Sequence, residues 1–119
     1  MEASKKDVDI LLIQEHNLTA GDKELVAKTA RERGYHHCVG YVNRHGGSAV
    51  FASMTTFPII PPPLHACIAL MNRRVTAMEL ERQEGDALRV ASMYVPVQPR
   101  ERLQFLAKLK KKTAWKAWT

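Results

Sequence analysis

The sequence predicts a single α/β domain in which a mixed sheet is flanked by helices. Three observations lead to this prediction. The chain has 119 residues, which is enough for one domain but not for two. Its predicted elements follow the order strand, helix, several strands and helix, which is typical of layered domains. The first strand, V-D-I-L-L-I at residues 8–13, is a nearly continuous apolar run of the kind that is buried on both faces of a sheet.

The first helix is predicted over residues 23–33. Asp22 suits its N-cap position, and Gly34 suits the position just after its end. Apolar or small side chains recur at helical spacing and form one stripe that is expected to face the sheet: Leu25, Val26, Thr29 and Ala30.

The middle of the chain is predicted to consist of strands. Residues 36–42 and 48–53 form a predicted hairpin, and Gly46 and Gly47 between them indicate a plain turn. Residues 57–64 contain four prolines and predict a stiff connecting loop. Three further strands are predicted at residues 65–70, 74–81 and 87–95, with a hairpin turn at residues 83–86 between the last two.

The C-terminal segment, residues 98–119, carries the whole excess of positive charge. The net charge is +6, and this segment holds seven basic residues and one acidic residue, so the rest of the chain is neutral. Pro99 suits the first turn of a helix whose buried side is predicted to carry Leu103, Phe105, Leu106 and Leu109. Lys110, Lys111 and Trp115 are candidates for gripping phosphates and stacking on bases. The alternative is a solvated lysine face with tryptophans packed inward.

Composition argues against several classes of protein. No apolar run approaches the roughly 20 residues of a membrane-spanning helix, and no secretory signal is evident. Two cysteines, Cys38 and Cys67, cannot build a disulfide framework, so we expect reduced thiols and an intracellular location. The spacing of these cysteines relative to His36 and His37 matches no structural zinc site.

Glu15 is the first candidate for a functional residue. It lies at the end of an apolar strand, where an unpaired carboxylate would be costly to bury, so we expect it to face a metal, a cation or a polar crevice. Mg²⁺ commonly takes one or two carboxylates and completes its coordination with water and phosphate. A capping or salt-bridging role is the alternative for Glu15. Asn17, in the same polar run, is a candidate for binding substrate, and Tyr94 at the end of another strand could donate to a phosphate or only pack.

Four short motifs occur in a fixed order along the chain: D-I-L-L-I-Q-E at residues 9–15, G-G-S-A-V-F at 46–51, L-R-V-A-S-M-Y-V-P at 88–96 and R-x-x-F-x-x-x-L at 102–109. Together they resemble the endonuclease/exonuclease/phosphatase family, which has the DNase I-like fold. The Q-E-x-N-L form of the first motif and the compact spacing are most similar to the apurinic-type endonuclease domain of non-LTR retrotransposons.

The resemblance implies a partial DNase I-like α/β sandwich, incomplete at both ends, from a Mg²⁺-dependent phosphodiesterase that nicks DNA. The family's metal-binding Glu falls on Glu15, with Mn²⁺ as an alternative ion, and its phosphate-contacting Tyr falls on Tyr94. The family's first strand, its G-D-x-N strand and its closing Asp-His pair have no counterpart here. We therefore expect these 119 residues alone to be inactive, and we expect the inner face of the half-sandwich to be uncovered.

Two functions remain open at this point. The first is an endonuclease fragment derived from a retroelement, nuclear in location, acting on DNA or on RNA. The second is a non-catalytic remnant that binds nucleic acid through the basic, tryptophan-containing tail or that associates with itself or another chain through its uncovered sheet.

Overall fold

The computed structural model describes residues 8–59 and 67–118, and its core is a pair of three-stranded sheets stacked face to face. The first sheet has the order β1-β3-β2 and consists of β1 (Ile10–Gln14), β2 (Tyr35–Val39) and β3 (Ser48–Ser53). The second sheet has the order β4-β5-β6 and consists of β4 (Cys67–Leu70), β5 (Val75–Leu80) and β6 (Leu88–Met93).

The strands and helices confirm an α/β domain, but the predicted mixed sheet is wrong. Every pair of neighbouring strands in the described parts of the chain is antiparallel. β1 and β2 do run in the same direction, but β3 lies between them. The two predicted hairpins, β2–β3 and β5–β6, are confirmed.

The first helix, α1 (Lys23–Glu32), follows a short 3₁₀ turn. Asp22 occupies the predicted N-cap position, but its carboxylate accepts from the backbone N–H of Thr19, with 2.8 Å between Thr19 N and Asp22 Oδ2. After the helix, the chain reverses at Gly34, whose φ of +80° is the left-handed conformation that favours glycine.

The basic C-terminal segment forms two helices, α2 (Pro99–Lys111) and α3 (Thr113–Trp118), so the prediction of one helix over residues 98–119 is wrong. Lys112 between them is extended, with φ −68° and ψ 128°. The break lets Trp115 pack against a small apolar cluster formed by Val75, Phe105 and Leu109.

The buried side of α2 is narrower than predicted. Phe105 and Leu109 are buried, whereas Leu103 is 70% exposed and Leu106 is 41% exposed. The helix rests on the second sheet along a single i, i+4 line, which accommodates two side chains and not four.

The main core lies between the two sheets. Cys38, Val50 and Ala52 from the first sheet pack against Met78 and Leu80 from the second. The inner face of the first sheet is therefore covered within the described residues, and the prediction of an uncovered face is wrong. The hairpins that follow β3 supply the covering sheet.

Exposed apolar surface lies instead on β1 and α1. Leu11 and Leu12 are 43% and 47% exposed, so the prediction that this strand is buried on both faces is wrong. β1 is an edge strand. Leu25 of α1, which was expected to face the sheet, is 66% exposed and shares with Leu11 the lining of an apolar groove of about 460 Å³.

A disulfide joins Cys38 of β2 to Cys67 of β4, with 5.6 Å between their Cα atoms. The prediction of two reduced thiols is therefore wrong for this structure. The bond links the two sheets, because β2 and β4 lie at the same side of the sandwich. Most of the predicted proline-rich loop, and the beginning of the strand predicted at residues 65–70, fall outside the described residues.

Candidate functional site

The ends of β1 and β6 meet at one edge of the sandwich. The side-chain amide of Gln14 donates a hydrogen bond to the backbone carbonyl of Met93. Glu15 and Tyr94 are the next residues along the chain after this pair. The structure thus brings both predicted site residues to the same edge, from segments 79 positions apart in sequence.

Glu15 projects from this edge in an open conformation. It is exposed, and its backbone is left-handed with φ of +53°. Among residues 8–59 and 67–118, its carboxylate takes part in no hydrogen bond or ion pair. The carboxylate is therefore accessible to a cation from solvent, and the salt-bridging alternative is not what the structure shows.

Two glycines hold the loop that carries Glu15. The Glu15 N–H donates to the Gly47 carbonyl at 2.7 Å, and the Asn17 N–H donates to the Gly46 carbonyl at 2.9 Å. In return, the Gly46 N–H donates to Oδ1 of Asn17 at 2.8 Å. The sequence predicted only a plain turn here, whereas this turn fixes the candidate metal ligand. Asn17, a predicted substrate contact, uses its side-chain oxygen within the loop.

His16 is the wedge between these two segments. Its Nδ1 accepts from the Leu18 N–H at 2.7 Å, so Nε2 carries the proton and faces the Ser48 carbonyl at 3.3 Å. A Cβ atom on Gly47 would collide with the imidazole ring and would lie 2.8 Å from the Gly40 carbonyl oxygen. Glycine is therefore required at position 47 by close approach as well as by backbone conformation.

Tyr94 is held by an arginine that the sequence analysis did not single out. The guanidinium carbon of Arg74 lies 5.2 Å from the centroid of the Tyr94 ring, which is a cation–π distance. The Tyr94 N–H also donates to the Arg74 carbonyl at 2.8 Å. Arginines at strand ends are common on protein surfaces, so the sequence carried no signal for this contact.

The basic tail contributes to the surface next to this edge. A groove of about 630 Å³ is lined by Arg74 and by lysines of the tail, of which Lys111 is one. Lys110 is exposed but does not line the groove, and Trp115 is half-buried against the apolar cluster. Of the predicted tail residues, Lys111 alone lies beside Arg74.

Two titratable side chains away from the edge have shifted pKa values. The pKa of Tyr41 is raised, first by burial and then by the negative charge of Asp22. The pKa of His37 is lowered, first by burial and then by the positive charges of Arg31 and His36. Both shifts arise from packing in the sheet and its loops, and neither group belongs to the Glu15 edge.

The residues at the edge offer one oxygen ligand for a divalent cation. In the parts of the chain that the structure describes, no three His, Cys, Asp or Glu side chains come together as a metal site. Mg²⁺ usually keeps several waters and takes other ligands from substrate phosphates. The free Glu15 carboxylate therefore fits a hydrated ion shared with a nucleic acid, and it does not fit a closed metal centre.

Comparisons with known protein families, with curated proteins and with solved structures found no match. The likeness to the endonuclease/exonuclease/phosphatase family therefore rests on the four motifs and their order. None of the described helices is long and apolar enough to span a membrane.

Proposed function

We propose that this chain is the first part of a retroelement-derived, Mg²⁺-dependent endonuclease of the DNase I-like class, which nicks DNA. Glu15 is the metal ligand and Tyr94 is the phosphate contact in this proposal. The observation that carries it is the hydrogen bond from Gln14 to the Met93 carbonyl, which joins the Q-E motif to the Y-x-P motif. A neighbouring bond, from the Ser92 hydroxyl to the carbonyl of the residue before Gln14, supports the same alignment at 3.1 Å.

The side chains at this edge divide the work of phosphate binding. When bound, Mg²⁺ would polarise a phosphoryl oxygen and stabilise the leaving alkoxide. The Glu15 carboxylate holds the ion, and the Tyr94 hydroxyl donates to a phosphate oxygen. Arg74, stacked on the Tyr94 ring, adds positive charge where the phosphate would lie.

The described residues supply no general base at this edge. Both ring nitrogens of His16 face backbone groups, so the imidazole cannot take a proton from water without breaking the loop. We therefore propose that the chain binds metal and phosphate but does not hydrolyse DNA efficiently on its own, as expected for a partial catalytic constellation.

Metal binding by the full chain is the direct test. Mn²⁺ added to ¹⁵N-labelled protein with a short DNA duplex should broaden the amide signals of Glu15, Asn17 and Tyr94 before others, because paramagnetic relaxation falls steeply with distance. The variant Glu15→Gln keeps the size and hydrogen-bonding capacity of the side chain but removes its charge, and it should abolish this selective broadening.

Glu24→Gln in α1 is the matched control, since Glu24 is also an exposed glutamate. It should leave the broadening unchanged. Broadening that persists in Glu15→Gln, or that centres on the acidic loop around Glu84, would refute the assignment of Glu15. If plasmid nicking is detectable at all, it should be lost in Glu15→Gln and retained in the control.

A second candidate function is nucleic-acid binding without hydrolysis, to DNA or to RNA. The observation that favours it is the set of exposed lysines on α2, of which Lys110 and Lys111 are two. Trp115 offers less for stacking, because part of its ring packs against the apolar cluster. Self-association through the inner face of the first sheet loses its physical basis, since the second sheet covers that face.

A further inference from the structure

The groove between α2 and the turn that joins β4 to β5 is lined by positive charge. Four of its lining residues are cations, Arg74, Lys108, Lys111 and Lys112, and no acidic residue lines it. Like charges gathered in one concave surface repel each other and focus a positive potential into the space between them. Such a groove is a site for an anion.

The lysines face the groove because of how α2 is anchored. Burial of Phe105 and Leu109 fixes the rotation of the helix on the second sheet. Lys108 and Lys111, three positions apart, then share the side that faces the turn. Lys110 lies off this side and does not line the groove. The arrangement is set by packing and not by mobile side chains alone.

The opposite wall is a turn with an unusual backbone. Met71, Asn72 and Arg73 all have left-handed φ values, of 55°, 57° and 65°. The turn is closed by a hydrogen bond from the Arg74 N–H to the Met71 carbonyl at 3.1 Å, and the Ser48 hydroxyl of the first sheet lies 2.9 Å from the Arg73 carbonyl. Strained backbone of this kind is typical of functional sites, and here it gives Arg74 a fixed position.

Arg74 connects the groove to the candidate catalytic edge. It lines the groove and also stacks on the ring of Tyr94. On the other side of the turn, a second groove of about 490 Å³ is lined by Arg44, His45 and Arg73. The turn thus lies between two basic surfaces, which together form an extended track and not a single pocket.

We propose that the groove formed by Arg74, Lys108, Lys111 and Lys112 binds the phosphodiester backbone of a nucleic-acid strand and that Arg74 leads this strand to Tyr94. Cations on one helix face, with Lys108 and Lys112 about 6 Å apart along the axis, suit a repeated anion better than an isolated one. The apolar ring of Phe105 in the wall leaves room for a base beside the backbone. The choice of ligand rests on the proposed function, but the binding does not require Glu15.

Binding of a fluorescein-labelled 20-nucleotide oligothymidylate to the full chain tests the proposal. Anisotropy is measured over a series of salt concentrations in the presence of EDTA, so that divalent cations play no part. The double variant Lys108→Gln with Lys111→Gln should weaken binding and reduce the slope of log K against log salt by about 2, one for each lost phosphate contact.

The matched control is Lys28→Gln with Lys110→Gln, which removes the same charge from exposed positions outside the groove. It should retain most of the wild-type affinity and slope. Equal losses in both double variants would show unspecific attraction to a cationic protein and would overturn the proposal, as would an unchanged slope in the groove variant. Lys108→Arg with Lys111→Arg should restore binding, and circular dichroism should show all variants folded.

Two further arms separate the remaining outcomes. Tripolyphosphate that displaces the oligonucleotide at equal phosphate concentration would identify free polyphosphate as the ligand and refute a nucleic-acid strand. Glu15→Gln should bind the oligonucleotide as the wild type does. A failure of metal binding at Glu15 therefore leaves the groove standing, and loss of groove binding leaves the Glu15 assignment to its own test.

Discussion

At the scale of single residues, the candidate site depends on backbone conformation as much as on side-chain chemistry. Glu15 and Asn17 both have left-handed φ values, which are uncommon for residues other than glycine. Each such residue costs on the order of 1 kcal/mol or more, so the surrounding structure must hold it in place. The hydrogen bonds from these two residues to Gly46 and Gly47 do so.

Glu15 could be identified from sequence, because an acid at the end of an apolar run conflicts with burial. The roles of Gly47 and Arg74 could not. A glycine pair indicates a turn, but the requirement at Gly47 comes from the His16 ring, 31 positions earlier in the chain. Likewise, Arg74 meets Tyr94 only after β5 and β6 have paired.

Gly47→Ala is expected to destabilise the fold by on the order of 2 kcal/mol or more. A Cβ atom there forces a left-handed alanine and also collides with the ring of His16. Gly46→Ala is the control, because its φ is also positive but no heavy atom lies within 4 Å of the added Cβ. Urea unfolding should show a clearly smaller loss for Gly46→Ala, and equal losses would contradict the proposed packing of His16.

At the scale of secondary-structure elements, local patterns located the segments but not their partners. The strand predicted at residues 48–53 is β3, with the same bounds, since alternation and flanking turns define it locally. Its central position between β1 and β2 depends on pairing across the chain, for which the sequence has no local signal. The same limit applies to α2, where helical periodicity marks four apolar positions but tertiary contact selects two.

Leu109→Ala and Leu103→Ala are expected to differ sharply in stability. Leu109 is 3% exposed in the cluster with Phe105, so its truncation leaves a cavity and should cost about 2–5 kcal/mol. Leu103 is 70% exposed, and its truncation should change the free energy of unfolding by no more than about 0.5 kcal/mol. Thermal or urea unfolding of the two variants measures the difference. Similar losses would mean that α2 packs on its other side.

At the scale of the whole molecule, the fold separates a neutral sandwich from a basic helical tail and joins them through Arg74. The total charge was readable from composition, and so was its concentration at the C-terminus. The groove was not, because it needs Arg74 of the β4–β5 turn to face Lys108 of α2. Neither charge cluster alone predicts where a strand would bind.

The Cys38–Cys67 disulfide makes the stability of the whole sandwich dependent on redox state. It closes a loop with a sequence separation of 29 and ties β2 to β4 across the core. The loss of chain entropy in the unfolded state predicts a contribution of about 3–4 kcal/mol for a loop of this length. Reduction with dithiothreitol should therefore lower the urea midpoint of the wild type, because the unfolded chain gains freedom while the core contacts of Val50 and Met78 remain. The double variant Cys38→Ala with Cys67→Ala should start at the reduced stability and show no response to dithiothreitol. A wild type whose midpoint is unchanged by the reductant would show that the bond does not stabilise the pairing of the two sheets, and the packing of the core alone would then have to account for it.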